Sequence, residues 1–177
     1  MTMADTVAVM NHGRIEQLGP PAELYENPAT TFVANFLGQS NLVAGTVVHS
    51  GERHVGVEVQ GVAVRAGRDR ARATEGDVLV GVRPEKVYLA AAGHEAGDGS
   101  NNLRAGRVSD VSFVGVSTQY LVRMPWGQEL MVFEQNTGAR DGFRVGDEVD
   151  LHWNPSHTFL LAASQDVTAG MDREDVA

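Results

Sequence analysis

Hydrolysis of a nucleoside triphosphate calls for a glycine-rich loop ending in lysine, because backbone amides surround the β-phosphate while the ammonium reaches the γ-phosphate. The sequence has one lysine, Lys86, in Arg83-Pro84-Glu85-Lys86-Val87, and no such loop. It has no cysteine either, which excludes thiolate zinc sites, iron–sulfur clusters, disulfides and thiol nucleophiles. The six histidines (His12, His49, His54, His94, His152 and His157) stand at no recognised ligand spacing, although His152 and His157 flank a turn across which they could approach each other. Asp98, Ser100 and Asn102 begin like a calcium-binding loop, yet Ser109 stands where a bidentate glutamate belongs. Gly115-Val116-Ser117-Thr118-Gln119 lacks the second glycine of a nucleophile elbow. The paired carboxylates Asp147/Glu148 and Glu174/Asp175 are neighbours in turns or tails, whereas acid–base catalysis needs carboxylates converging on a cleft from different elements. These residues assign no catalytic, cofactor-binding or metal position.

The elements that carry them fall into two regions. From Thr6 to Leu18 short apolar alternations flank Asn11-His12-Gly13, a turn tolerant of positive φ, and so predict a hairpin. Pro21 to Glu26 predicts a short helix that Asn27-Pro28 stops. A second helix follows, capped by Thr30 or Thr31, with Phe32, Val33, Phe36 and Leu37 on one face and Gly38 as a left-handed C-terminal residue. Beyond Asn41 the period becomes two. Val55, Val57 and Val59 with Val62 and Val64 read as a hairpin with one buried face, and Val78–Val82 as a further strand broken by Pro84. Tyr120, Val122 and Met124 share one face, as do Val149, Leu151 and Trp153, while Asp150 and His152 face the other way. Many short strands without long helices predict a small barrel or sandwich, built as two interleaved halves that meet near 91–102. Two segments read as loop or tail: Ala91 to Asn102, and the polar stretch from Ser164 to Ala177.

The length of 177 residues, 42% of them hydrophobic, suffices for a buried core. A formal charge of −9 argues against an electrostatic hold on nucleic acid or anionic lipid. No apolar stretch approaches the roughly 20 residues that span a bilayer, and Met1-Thr2-Met3-Ala4-Asp5 lacks the features of a secretory signal, so a cytoplasmic location is expected.

The run from Ala4 to Gly19, with Pro21-Ala22-Glu23-Leu24-Tyr25-Glu26-Asn27-Pro28 and Phe32 to Gly38, resembles the end of the nucleotide-binding domain in ABC importer ATP-binding subunits of the spermidine/putrescine, iron and maltose type. Asn41 to Val47 resembles the opening strand of the transport-associated OB-like (TOBE) domain that follows it there. Val80-Gly81-Val82-Arg83-Pro84-Glu85 resembles its Arg-Pro-Glu segment, and Val111 to Gly115 with Thr118-Gln119-Tyr120 the polyamine-type strand pair. The resemblance runs over about residues 4 to 163.

It implies a mainly β, OB-like barrel or sandwich of TOBE type at 39–163, preceded at 1–38 by a hairpin and two short helices left over from a nucleotide-binding domain, with an acidic flexible tail at 164–177. The apolar face of residues 1–38 is then expected to stand uncovered without its nucleotide-binding core. The implied function is regulation and dimerisation of the ATP-binding subunit of an importer of polyamines or similar small solutes, at the inner face of the membrane. A second copy and permease subunits would be its partners, and nucleic acid would not. By itself such a chain is not an enzyme, and it holds no cofactor, ATP and Mg²⁺ belonging to the complete family protein. The alternative is a free-standing small-ligand or oxyanion-binding sensor of OB type, for which Ser40-Asn41-Leu42 is a short match. Arg83 and Glu85 are read as an ion pair, or as fixing the bend at Pro84, with a dimer contact or transporter regulation as the other role for Arg83, Pro84 and Glu85. Phe113, Tyr120 and Trp153 fall in phase with apolar neighbours and are read as core, whereas Trp126 in its turn is read as an exposed contact.

Overall fold

Two positive backbone angles in succession, His12 at φ 46° and Gly13 at φ 76°, make the tight turn that joins β1 (Val7–Asn11) to β2 (Arg14–Gly19). The computed structural model that contains this hairpin describes residues 4–94, 97, 99–136 and 142–171. Two one-turn helices follow, α1 (Pro21–Glu26) and α2 (Thr31–Phe36), with the Thr30 hydroxyl accepting from the Val33 amide as the cap of α2. Gly38 has φ 158°, far from a left-handed helical cap, because the chain is already extending into the next strand.

The apolar face expected to be bare is largely covered. Val9, Leu24 and Val33 are buried together, and Ala34 joins Leu42, Leu79, Phe159 and Leu161 in a cluster shared with the β-region. What stays exposed is Phe36, stacked on Phe32, and the outer face of the hairpin with Met10, Ile15 and Leu18.

The β-region consists of two five-stranded antiparallel sheets. One runs β12-β6-β3-β4-β5, from β3 (Asn41–Ser50), β4 (His54–Val59), β5 (Val62–Gly67), β6 (Asp77–Val82) and β12 (Phe159–Ala162). The other runs β7-β11-β8-β9-β10, from β7 (Tyr88–Ala91), β8 (Asn101–Phe113), β9 (Ser117–Arg123), β10 (Glu129–Gln135) and β11 (Glu148–Trp153). The two orders are equivalent, and each sheet takes one edge strand from the other half. After β6 the chain turns at Pro84–Lys86 and crosses to pair β7 with β11; after β11 it turns at Pro155–His157 and crosses back to pair β12 with β6. Among the described residues no ladder closes either sheet into a barrel, and a single parallel bridge between Ala71 and Leu160 spans the open side of the first.

Equivalent residues do equivalent work. Asn41 pairs with Val82 as Asn101 pairs with Trp153, and Gly45 faces Val78 as Gly106 faces Val149. At either glycine a Cβ would collide with the neighbouring strand, against Val57 and Glu58 in one sheet and Val122 in the other. The second half has one extra residue, absorbed where Ala105 adopts φ 62°. Asp150, on the face opposite Leu151, is buried and accepts from the amides of Gly93 (2.9 Å) and of Ala105 itself (3.1 Å). Gly81 completes the pattern: the Phe159 ring lies where its Cβ would be, so only glycine lets β12 dock.

The inner faces fuse into one core of Val43, Val55, Val57, Val80, Leu89, Leu103, Val122, Leu151 and their neighbours. Tyr120 and Trp153 belong to it as expected, but Phe113 does not. It is 76% exposed, because β8 and β9 run on past the end of β11 as a hairpin and carry the tip Phe113-Val114-Gly115-Val116 into solvent. Residues 101 and 102 of the expected loop are the start of β8. At the other end, residues 164–171 of the expected tail form turns that lie on α2: Gln165 accepts from the Thr31 amide (2.7 Å), and Asn35 donates to the carbonyls of Val167 and Ala169. Asp98, Glu174 and Asp175 lie outside the described residues.

Candidate functional site

Arg83 is the largest of the fully buried side chains, 2% exposed. Strand β6 ends at Val82, Pro84 starts a single 3-10 turn with its fixed φ, and Arg83 between them is aimed out of the sheet into the segment 25–40. Its Nη1 lies within hydrogen-bond distance of four oxygens: the carbonyls of Ala34 (2.6 Å), Gly38 (2.7 Å) and Gln39 (3.2 Å) and the Ser40 hydroxyl (2.7 Å). Nη2 donates to the Tyr25 carbonyl (2.8 Å), and the guanidinium sits 4.0 Å from the centre of the Tyr25 ring. One side chain thus satisfies a C-terminal carbonyl of each short helix, Tyr25 in α1 and Ala34 in α2, together with the carbonyls of Gly38 and Gln39 beyond them.

The expected ion pair between Arg83 and Glu85 does not form. Burial lowers the Arg83 pKa, and Glu85 opposes that shift from a distance without touching the guanidinium. Glu85 instead accepts from the Tyr25 hydroxyl at 2.7 Å. Burial first, and this hydrogen bond second, push the Tyr25 pKa up to about 12. Pro84 is buried, and beside the pair Glu26 holds Arg70 (3.2 Å) and Lys86 (3.8 Å). His157 lies in the same charged neighbourhood with its Nδ1 buried and without a partner, and burial together with Lys86 lowers its pKa. His152 is elsewhere, between the rings of Tyr88 and His94. No cluster of three metal-ligating side chains exists among the described residues.

Trp126 is not a free contact. It is half-buried against the main core, and its indole N–H donates to Gln128, whose amide in turn donates to the Leu42 carbonyl (2.7 Å). That contact leads to Asn41 and Asn101, whose ties between the sheets no local sequence pattern announces. Asn41 donates to the Met131 carbonyl (2.7 Å) and accepts from the Met131 amide (2.8 Å). Asn101 makes the same double bond to Arg65, 2.7 and 2.8 Å, across the other junction. Each asparagine substitutes for one rung of a ladder and ties its sheet to the last hairpin strand of the other. Thr158 completes the second junction by accepting from both Asn101 and Trp153 at 2.9 Å.

Two outcomes are expected. Arg83→Met leaves the carbonyls of Tyr25 and Gly38 without their donor and that of Ala34 with only the Ser40 hydroxyl at 3.4 Å, a loss of about 3 kcal/mol. Hydrogen exchange should show residues 20–40 opening while the sheets stay protected, and Arg83→Lys should fail to restore them because an ammonium cannot span both helix ends. The second concerns alkaline pH. The folded chain keeps the Tyr25 proton up to about 12 and the unfolded chain only to about 10, so this contribution is complete below pH 10 and fades as pH rises from about 10 towards 12. Urea unfolding at about pH 9 and about pH 11 should show that decline, and Tyr25→Phe should flatten it.

The TOBE domain family model matches residues 80–161. The spermidine/putrescine import ATP-binding protein PotA of Rubrobacter xylanophilus is 39% identical over 171 residues, 93% of this chain and 43% of that protein. The protein of the same name from Thermobifida fusca is 37% identical over 91% of this chain and 41% of its own length, and that of Thermotoga maritima 32% over 91% and 45%. The chain therefore spans about two fifths of the length of these relatives. Among solved structures, the cytoplasmic molybdate-binding protein ModG superposes with a TM-score of 0.58 at 20% identity, over 69% of this chain and 95% of that one, a likeness of fold. Residues 80–161 match the TOBE domain family model, in a chain that over nine tenths of its length is similar to part of the ATP-binding proteins of spermidine/putrescine importers.

Proposed function

We propose that the chain is the regulatory and dimerisation part of the ATP-binding subunit of an ABC importer, one that carries polyamines or similar small solutes. The observation that carries the reading is the extent of the match: relatives named as spermidine/putrescine import ATP-binding proteins align with 91–93% of this chain, helices and both sheets included. The exposed hairpin residues Met10, Ile15 and Leu18 support it, since apolar side chains grouped on one hairpin suit packing against a further body, here the nucleotide-binding part of a complete subunit. ATP and Mg²⁺ act in that part, and this chain does no chemistry. Its partners are a second ATP-binding subunit and the permease, at the inner face of the membrane. No helix among the described residues is long and apolar enough to cross a membrane. Reading the chain as a free-standing oxyanion sensor has behind it the three-residue match at Ser40-Asn41-Leu42 and a 20% identical likeness of fold.

The test is a chimera. Residues 39–163 replace the matching region of the Thermobifida fusca relative, which is reconstituted with its permease in vesicles. The chimera is expected to hydrolyse ATP and take up spermidine, while the chain alone hydrolyses none. Full ATPase rate with no permease association and no uptake would overturn the assignment.

A further inference from the structure

The turn Pro155–His157, the equivalent of the Pro84–Lys86 turn, stands at the second crossing between the sheets, and there the surface is open. Where Arg83 is covered by residues 25–40, its counterpart Asn154 is exposed and forms part of the wall of a basin of about 700 Å³. Arg53, Arg65, Arg70, His54 and His157 line it, and among the described residues a single carboxylate, Asp69, joins them. On a chain of net charge −9 this is a local reversal: between residues 53 and 72 the sequence has arginine at 53, 65, 68, 70 and 72 against only Glu58 and Asp69.

Most of the donor capacity of these guanidiniums is unspent. Arg53 makes no side-chain hydrogen bond or ion pair among the described residues, and Arg65 uses one Nη2 bond, to the Gly99 carbonyl (2.8 Å). Arg70 binds Glu26 through Nη1 alone, which leaves its Nη2 and Nε free. The Arg65 backbone is pinned by the Asn101 bridge, so this cation stands on a rigid strand at the point where the two sheets are locked together.

We propose that this basin is a binding site for a small phosphorylated anion. Forked guanidiniums match the oxygens of a phosphate group, and three of them around one concavity suit a diphosphate or a phosphate ester better than a single carboxylate. The volume admits a ligand larger than the phosphate itself. A polyamine, being cationic, is repelled here, so a ligand of this basin reports something other than the solute named for the relatives. Occupancy would act on the Pro155–His157 crossing and the Asn101 bridge. The site is independent of the importer assignment and of the fold likeness to ModG, and its test uses the chain alone.

Calorimetric titration of the full chain with inorganic pyrophosphate and with inorganic phosphate, at constant ionic strength, reads it directly. Saturable binding is expected, tighter for pyrophosphate. Arg53→Ala and Arg65→Met should each weaken it about tenfold or more, the loss of one charge-assisted hydrogen bond, with circular dichroism unchanged. Arg107→Ala, which removes an exposed pair with Glu148 on the other sheet, should leave it unaltered. The proposal is overturned by absence of saturation up to about 10 mM, by binding indifferent to Arg53→Ala and Arg65→Met, or by an equal loss in all three variants, which would mark general charge attraction.

Discussion

Each sheet of this protein is finished by a strand that belongs, by chain order, to the other half. Without β12, strand β6 would present an unpaired edge and the apolar residues Leu79 and Leu42 beneath Phe159 would be uncovered; without β7, β11 would do the same in the second sheet. The exchange makes the two sheets mutually dependent. The rest of the architecture follows from it: glycines at 45, 81 and 106 where strands must pass closely, prolines at 84 and 155 where the chain must leave one sheet for the other, and asparagines at 41 and 101 where the hairpin ends are tied back.

Arg83 extends this body to the segment before it. A guanidinium is costly to bury, and the lowered pKa reflects that cost. The cost is offset because five oxygens and an aromatic face converge on it. Its Nε–H remains without an acceptor, so the arrangement is not optimal for stability alone. What it provides is registration. Helices α1 and α2 are each one turn long and could not hold a fixed orientation by themselves, yet through Arg83, Tyr25 and Glu85 they are fixed to the point where the chain crosses between sheets.

The period-two valines of β4, β5 and β6, the turn at His12-Gly13 and the two short helices were legible because each is a local pattern with a local cause. The strand exchange was not, since nothing in Phe159 to Ala162 says that its partner is β6. Two interleaved halves were expected from the sequence, but their residue-by-residue correspondence was hidden for a physical reason: beyond Ser40-Asn41 and Ser100-Asn101 the halves share turn and close-contact positions rather than side chains, and Ala105 shifts the count by one. Phe113 was misassigned because alternation continues past the point where the partner sheet stops. Arg83 and Glu85 looked like a pair because they are near in sequence, but across Pro84 they engage different parts of Tyr25, Arg83 its carbonyl and ring face and Glu85 its hydroxyl. The arginines around the basin come from the turn before β4, from β5 and from the turn after it, and their convergence exists only once Pro155–His157 is brought alongside.

Native-state hydrogen exchange of the full chain, followed residue by residue across a denaturant series, tests the interlocking directly. If the sheets share their edge strands as described, the slowest amides of Val78–Val82 and of Val149–Trp153 open with one common free energy and one common dependence on denaturant. Two separate values, with one sheet opening while the other stays protected, would contradict it.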